Sequence, residues 1–437
     1  MLSWFRVAER GSSLRVEVAA GASTFVAMAY IAVVNPAILQ AAGLPVGAST
    51  TATILIAAAG SILMGVYANR PIAVAPYMGE NAFIAFSLTA LGITWQQRLG
   101  SVFVAGIVFL AITLFGVRAW LARAISSSLK YSFAAGIGLF LAFIGLEETG
   151  IVQAGTGVPV RIGSLGQPPV LLAIGTFVLM MVLVYHRVRG AILIGMLAAS
   201  IAGLLLGMAQ LPSRVLAMPF TGEYSLAPIA LQLDIAGVLR LSFLPILLTL
   251  VLMSFLDTLG TLVGVGAAGG MLDEKGEFPE IERPMLVDAI ACVGSGLAGT
   301  STSGAYIESA VGIHEGGRTG IAAITTGLLF AVSLFFVPLL EPVQQLRFAY
   351  GPALIVVGAL MLGAVQRIDF DDITETVPAF ATIVMMIFTY NIANGLTAGL
   401  ILHPLMKVLA GRRREVHAAS VVLALLCLVY YVYGLPH

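Results

Sequence analysis

The sequence predicts an all-α polytopic membrane protein with 14 transmembrane spans in two inverted repeats of seven, followed by one extra apolar segment. Of its 437 residues, 59% are hydrophobic and 10% are charged, whereas soluble domains carry about 25% charged residues. Long stretches contain no charge, for example residues 18–69 and 376–406. Because these stretches are continuously apolar, they favour helices over the alternating strands of a membrane barrel.

Charge and cysteine content exclude other classes of protein. The chain has 22 basic and 22 acidic residues, so it presents no basic field that would attract nucleic acid. Its two cysteines, Cys292 and Cys427, fit neither a disulfide framework nor a cysteine-rich metal site. No metal-binding or catalytic motif is complete, so we expect no metal, no catalytic residue and no nucleic-acid partner.

Each predicted span is an apolar segment bounded by charges or turn residues. The first group comprises residues 17–41, 50–69, 74–91, 98–117, 126–146, 169–186 and 189–209. After a loop to about residue 240, the second group comprises residues 241–268, 286–299, 303–315, 319–340, 350–366, 375–392 and 394–411. The last apolar run, 416–434, either spans the membrane or lies along its surface.

The arginines predict the orientation, because cytoplasmic loops carry an excess of positive charge. With residues 1–16 as a cytoplasmic segment, the inner loops receive most of the arginines, namely Arg6, Arg10, Arg15, Arg70, Arg118, Arg123, Arg187, Arg189, Arg283, Arg318, Arg367, Arg412, Arg413 and Arg414. This arrangement requires residues 375–411 to form a hairpin that turns at Asn391–Gly395. We therefore predict a multi-pass protein of the cytoplasmic membrane with its N-terminus inside.

The number of spans in each group predicts how the two groups are related. Seven is odd, so the second group inserts upside down relative to the first. Inverted repeats are the plan of secondary transporters, which bind substrate near the membrane midplane between interrupted helices.

Three carboxylates lie well inside apolar spans: Glu80, Asp257 and Glu308. An intramembrane carboxylate is energetically costly and by default marks an ion or substrate pathway; the alternative is a packing role beside a neighbouring Asn or Ser. Glu80 and Glu308 both lie in the third span of their group, and both spans are short and open with Gly, Pro, Ser or Thr. Corresponding interrupted spans are the best sequence indication of a transporter's binding site.

Several segments resemble the purine permease branch of the nucleobase–cation symporters, which transports adenine, guanine and hypoxanthine. These segments are Phe25–Ile31, Asn35-Pro36, Met78–Ala82, Phe255–Thr261, Thr300–Ser303, Glu308–Ala310 and Glu315–Gly320. The resemblance extends from about residue 15 to residue 410. It implies a core domain that moves against a gate domain. The core would comprise residues 17–117 and 241–340, the gate 126–209 and 350–411, with 416–434 as an extra segment.

The resemblance also implies a substrate site between these domains. Glu308 would accept nucleobase N–H groups, and Asp257 would be tied to substrate and proton. Asn81 would contact the substrate together with the backbone around Gly79 and Ala82. The other candidate contacts are Glu80, Phe83, Tyr306 and Ser309. Relatives often carry a second acid at the position of Ser254, which leaves the charge of the site and the preferred purine open.

A purine fits such a site chemically. A buried carboxylate can accept two N–H groups in a charge-assisted pair, and Phe83 or Tyr306 can cover a ring face. Protonation of Asp257 or Glu308 would change that pairing, which provides a route to coupling.

We therefore expect a proton-coupled importer of hypoxanthine, guanine or adenine that is not an enzyme and has no cofactor. The coupling ion would be a proton or else sodium, and the partners would be the purine, the lipid bilayer and, through the gate domains, a second copy of the chain. Uracil, xanthine or a small anion on the same fold is an alternative. A channel or a membrane-embedded enzyme ranks lower, since neither a filter motif nor a ligand cluster is visible.

Overall fold

The computed structural model describes residues 2–116, 120–121, 124–212, 214–272 and 278–433. Two arginines of the predicted inner loops, Arg118 and Arg123, lie outside the described residues, as do the ends of the predicted segments at 117 and 434. Within the described part of the chain, nine helices are long and apolar enough to cross a membrane on their own. Five shorter segments occupy the remaining predicted spans.

The first group forms spans 1–7 within a few residues of the prediction. A short helix, Leu2–Phe5, precedes span 1. The spans are span 1 (Leu14–Met28 and Ile31–Ala41), span 2 (Val46–Leu63 with the π-helical turn Met64–Ala68), span 3 (strand β1, Val74–Pro76, then Met78–Ala82, the π-helical turn Phe83–Ser87 and Leu88–Ala90), span 4 (Trp95–Leu114), span 5 (Ser127–Glu148), span 6 (Pro168–Tyr185) and span 7 (Ala191–Leu205). Strands β2 (Val152–Ala154) and β3 (Val160–Ile162) form a hairpin between spans 5 and 6.

The second group forms spans 8–14 after a loop that contains the 3₁₀ turn Gly222–Tyr224 and the helix Ile235–Val238. The spans are span 8 (the 3₁₀ turn Leu241–Phe243 and Leu244–Ala268), span 9 (Glu282–Ala298), span 10 (strand β4, Ser303–Ala305, and Ser309–His314), span 11 (Gly320–Ser333 and the 3₁₀ segment Leu334–Leu339), span 12 (Arg347–Met361 and the 3₁₀ segment Leu362–Arg367), span 13 (Ile373–Phe388) and span 14 (Ile392–Leu409). A short helix, Glu341–Gln344, links spans 11 and 12, and the 3₁₀ turn Arg413–Glu415 precedes the C-terminal helix, Ala418–Tyr433.

Span 4 begins three residues before the predicted start at Arg98. The helix begins at Trp95, where Thr94 and Gln97 form a reciprocal capping box. Arg98 lies in the first turn and is buried, because its guanidinium donates to the backbone carbonyls of Ile93 and Ala42. A charged residue can thus be buried within a helix when nearby carbonyl oxygens accept hydrogen bonds from it.

The hairpin between spans 13 and 14 is present, but its turn lies at Thr389–Asn391 and not at Asn391–Gly395. Asn391 caps span 14 by accepting from Ala393 N at 2.9 Å. Gly395 is inside the helix, where a Cβ would overlap Thr382 O and Met386. This glycine permits close packing and does not form the turn.

The other end of this hairpin carries a charged cluster. Asp372 caps span 13 and accepts from Thr374, Arg412 and Lys407. The hydrogen bonds of Thr374 and Arg412 hold the pKa of the Asp372 carboxyl well below its usual range. These bonds join the start of span 13 to the end of span 14, just before the C-terminal helix.

The spans pack as two groups. Spans 1–4 and 8–11 contact one another extensively and form the first packing group, and spans 5–7 and 12–14 form the second packing group. The C-terminal helix contacts both groups, through spans 14 and 8, and it reaches the 3₁₀ turn at the start of span 8. It therefore runs along the bundle and not across its end.

Backbone contact between spans 2 and 11 gives a stability prediction. Gly65 and Gly320 face each other so closely that a Cβ on Gly320 would overlap Gly65 O. We expect Gly320→Ala to destabilise the protein by about 1–3 kcal/mol, the usual cost of overpacking, measured as a lower melting temperature in detergent. Gly175→Ala in span 6 is the control, because a Cβ there meets no atom within 4 Å. Equal melting temperatures for the two variants would contradict the close contact.

Candidate functional site

The centre of the first packing group is an antiparallel crossing of two very short strands. Strands β1 and β4 pair with Ala75 opposite Gly304. Two further bonds extend the pairing symmetrically, from Tyr77 N to Thr302 O and from Tyr306 N to Ala73 O, both at 2.9 Å. Small residues allow this approach, since a Cβ on Gly304 would overlap the Tyr77 hydroxyl. Each strand leads into a short helix, and because the strands are antiparallel the two helices begin at opposite ends of the crossing.

Glu308 lies at the start of the short helix of span 10. Its Oε1 accepts a hydrogen bond from the Tyr30 hydroxyl at 2.6 Å. Tyr30 occupies the break between the two helices of span 1, and Tyr306 lies beside both side chains. Glu308 remains partly exposed and the preceding Ile307 is 62% exposed. The carboxylate is therefore held in one orientation and is still open to a ligand.

The other two predicted acids, Glu80 and Asp257, form a carboxylate pair. Glu80 lies in the first turn of the helix of span 3 and is completely buried. Its polar neighbours are Asp257 and Ser254 of span 8, but neither Glu80 oxygen makes a hydrogen bond of ordinary geometry to any described residue. Asp257 is partly exposed. The structure thus brings together two of the three acids that the sequence singled out.

A fourth acid, Asp288, was missed by sequence reasoning. Its Oδ2 accepts from Ala305 N at 2.9 Å and from the Tyr77 hydroxyl at 3.4 Å. The predicted span began at residue 286, which placed Asp288 at a membrane boundary, whereas span 9 begins at Glu282. Apolar residues on both sides of Asp288 were the available signal. Asp288 ties span 9 to both strands of the crossing.

Asn81 belongs to a buried amide and hydroxyl network. Its Nδ2 donates to Asn35 O at 3.3 Å. The Asn35 side chain bonds to Thr53 and Thr300 at 2.7 and 2.9 Å and accepts from Ser301 at 3.1 Å. The Asn81 Oδ1 has no partner among the described residues, so it is available to a donor.

The remaining candidate residues have more varied surroundings. Gly79 faces span 5, where a Cβ would lie 2.7 Å from Ile137. Ala82 and Phe83 are fully buried. The Ser309 hydroxyl accepts from Ala73 N at 2.9 Å and Tyr306 donates to Pro76 O at 3.0 Å, so both side chains already hold the crossing together.

The segment Glu315–Gly320 closes the connection between spans 10 and 11. A buried acid that the sequence analysis did not consider, Glu17, accepts from the backbone N–H groups of Arg318 and Thr319 at 2.8 and 3.2 Å. Glu315 accepts from Ser23 at 2.6 Å and pairs with Arg189 at 2.5 Å. This segment therefore has a structural role: its contacts join the connection between spans 10 and 11 to span 1 and to Arg189.

The central site contains four acidic side chains and no basic partner among the described residues. Glu80, Asp257, Asp288 and Glu308 lie around one crossing, and none of them has a Lys, Arg or His partner within 4.0 Å among the described residues. Uncompensated carboxylates inside a membrane protein mark a pathway for a cation, a proton or a donor-rich substrate. The interrupted spans and this acidic centre together define a multi-pass membrane transporter built from two inverted repeats.

Comparison with known proteins places this transporter in a family. The family model Xan_ur_permease, described as "Permease family", matches residues 15–397. The chain is 39% identical to the adenine permease AdeP of Escherichia coli (strain K12), covering 98% of this chain and 95% of that protein. It is 40% identical to the guanine/hypoxanthine permease PbuG of Bacillus subtilis (strain 168), covering 99% and 100%. The chain belongs to this permease family, so it is a transporter and not an enzyme.

A solved structure supports the fold independently. The transmembrane domain of the cyanobacterium bicarbonate transporter BicA superimposes with a TM-score of 0.64 at 16% identity, covering 89% of this chain and 97% of that domain. The predicted fold of two inverted repeats of seven spans is thereby confirmed. The family resemblance drawn from the sequence segments is confirmed separately, by the family model and the similar permeases.

Proposed function

We propose that the chain imports purine nucleobases across the cytoplasmic membrane and that a proton gradient drives this uptake. The observation that carries this proposal is Glu308, a carboxylate fixed by Tyr30 at the crossing of the interrupted spans and still partly exposed. Two purine N–H groups match its acceptors. The printed names of the relatives AdeP and PbuG support adenine, guanine and hypoxanthine as cargo.

The acidic centre argues against a small anion as cargo, although the fold is shared with a bicarbonate transporter. Four carboxylates without a nearby cationic side chain would repel an anion at short range. Neutral bases that present N–H donors are attracted by the same groups. Uracil and xanthine share those donors and serve as the competing cargo in the test.

Coupling follows from the Glu80–Asp257 pair. Two adjacent carboxylates repel each other when both are charged, so a pair in a dry environment is stabilised by one shared proton. Asp257 is partly exposed and can exchange that proton, whereas Glu80 is sealed. Glu308 would take part by accepting substrate in its charged form.

The two packing groups correspond to the moving parts of the proposed mechanism. The first packing group, spans 1–4 and 8–11, would be the core domain that holds substrate, and the second would be the gate. Gly79 lies where span 3 faces span 5, so the substrate side of the core borders the gate. The arginine-rich loops support a cytoplasmic N-terminus.

Uptake into proteoliposomes tests the cargo. We expect radiolabelled hypoxanthine to accumulate under an inward proton gradient and to be displaced by adenine or guanine. Competition by uracil, xanthine or sulfate, and none by adenine or guanine, would refute hypoxanthine, guanine and adenine as the cargo. Equal accumulation of hypoxanthine under a sodium gradient would refute proton coupling and would leave the assignment of the cargo unchanged.

Replacement of Asp257 tests coupling separately from binding. Asp257→Asn keeps the shape of the side chain but cannot carry the exchangeable proton. We expect hypoxanthine accumulation to fall from about tenfold per unit of pH gradient, the value for one proton per substrate, to equilibration. The exposed Asp371→Asn is the control. Unchanged accumulation and unchanged affinity in Asp257→Asn would remove Asp257 from the mechanism.

A further inference from the structure

Two adjoining cavities lie at the end of the bundle opposite the N-terminal segment. The larger, about 380 Å³, lies between the ends of spans 5, 6 and 12 and the β2–β3 hairpin. The smaller, about 290 Å³, lies between the end of span 1, the Glu341–Gln344 helix and span 12. Glu148 and Arg347 line both cavities. We call the two cavities together the vestibule, which has the size of a small-molecule site.

Gln344 lines the smaller cavity and is 1% exposed. Its Nε2 donates to Ala32 O at 3.0 Å and to Thr50 Oγ1 at 2.9 Å. A backbone carbonyl can only accept, so these bonds fix which end of the amide is the nitrogen. Its Oε1 has no partner among the described residues. A buried acceptor without a donor is costly, and a bound N–H group would satisfy it.

Charged and hydroxyl groups surround the same cavity. Glu148 accepts from the Tyr350 hydroxyl at 2.8 Å and pairs with Arg347 Nε at 3.3 Å. The exposed Gln40 and Gln345 add amide donors and acceptors. Donors and acceptors therefore alternate around one pocket, which suits a flat solute with N–H groups on one edge and ring nitrogen or carbonyl acceptors on another.

We propose that the vestibule is a second, low-affinity binding site for the same nucleobase. The nucleobase would occupy the vestibule before it reaches the central carboxylates. The inference rests on the proposed function. Its position supports a place on the pathway, because Gln344 bonds to Ala32, two residues after the Tyr30 that holds Glu308. It also lies where the first packing group meets the second, since its lining includes span 1 on one side and spans 5 and 12 on the other.

Equilibrium binding of radiolabelled hypoxanthine to the purified full-length protein in nanodiscs tests the second site. We expect Glu308→Gln to raise the Kd of the tight class about 10-fold to 100-fold and to leave the weak, saturable class with its wild-type Kd. Adding Gln344→Met or Glu148→Gln to that background should remove the weak class. Two different vestibule variants are used because Gln344→Met also loses the bonds to Ala32 and Thr50, whereas Glu148→Gln keeps an acceptor for Tyr350.

Transport kinetics provide the second readout. The single variants Gln344→Met and Glu148→Gln should lower Vmax/KM about threefold to tenfold, the value of one net hydrogen bond, with an unchanged tight Kd. The fall must be equal for influx and efflux without a gradient, because the carrier cannot bias an equilibrium. Gln232→Met, an exposed glutamine outside both cavities, should change neither quantity.

The outcomes separate this inference from the proposed function. A wild-type protein that takes up hypoxanthine, with no weak binding class in Glu308→Gln or with weak binding that survives both vestibule variants, overturns the second site alone. A wild-type protein that neither binds nor transports any purine overturns the proposed function and this inference together.

Discussion

Glu308→Gln is expected to raise the hypoxanthine Kd about 10-fold to 100-fold and to abolish detectable uptake. The amide keeps the size of the side chain but replaces one acceptor by a donor and removes the charge. A hydrogen bond to a charged group contributes about 1.5–3 kcal/mol, which corresponds to this range of affinity at about 1.4 kcal/mol per decade. Equilibrium binding and proteoliposome uptake on the same preparation measure both quantities.

The matched controls for Glu308 come from its own surroundings. Tyr30→Phe removes the hydroxyl that donates to Glu308 Oε1 at 2.6 Å but keeps the ring, so we expect a smaller loss of about twofold to tenfold, the value of one net hydrogen bond. Glu315→Gln alters an acid at the end of span 10 that pairs with Ser23 and Arg189, and substrate affinity should stay near the wild-type value. Wild-type affinity in Glu308→Gln would exclude this carboxylate from the binding site.

Asp288→Ala is expected to abolish substrate binding through the architecture of the crossing. The substitution leaves Ala305 N–H without its acceptor and the Tyr77 hydroxyl with its bond to Thr258 alone, and an unsatisfied buried N–H group costs about 1–3 kcal/mol. Because Ala305 belongs to β4 and Tyr77 follows β1, both interrupted spans lose their registration. We expect a melting temperature several degrees lower, together with loss of hypoxanthine binding.

Asp288→Asn distinguishes positioning from charge. An amide oxygen can still accept from Ala305 N–H. If Asp288 acts as a positioning residue, the melting temperature and the hypoxanthine affinity of Asp288→Asn should therefore be close to those of the wild type and well above those of Asp288→Ala. The exposed Asp371→Ala controls for general effects of removing an acid. An Asn variant as stable as the wild type but unable to bind would show instead that the charge of Asp288 is required.

The regular parts of the fold were predictable because one physical constraint dominates them. A membrane span must satisfy its own backbone hydrogen bonds and present apolar side chains, so uncharged stretches such as 376–406 locate helices directly. The interrupted spans were also visible, because Gly, Pro, Ser and Thr around Pro76 and Gly304 resist regular helix. The errors lie at boundaries, where Arg98 and Asp288 were treated as span ends although nearby backbone groups satisfy them.

The sequence by itself determined the class of protein, the number and order of the spans, and three of the four central acids. Those features follow from composition and local pattern. Only the tertiary structure decided that Glu80 lies against Asp257, that Tyr30 orients Glu308, and that Asp288 joins the two strands. These contacts connect residues up to 278 positions apart. They depend on the antiparallel crossing of β1 and β4, whose geometry arises from packing between the two repeats and leaves no periodic signal in either one.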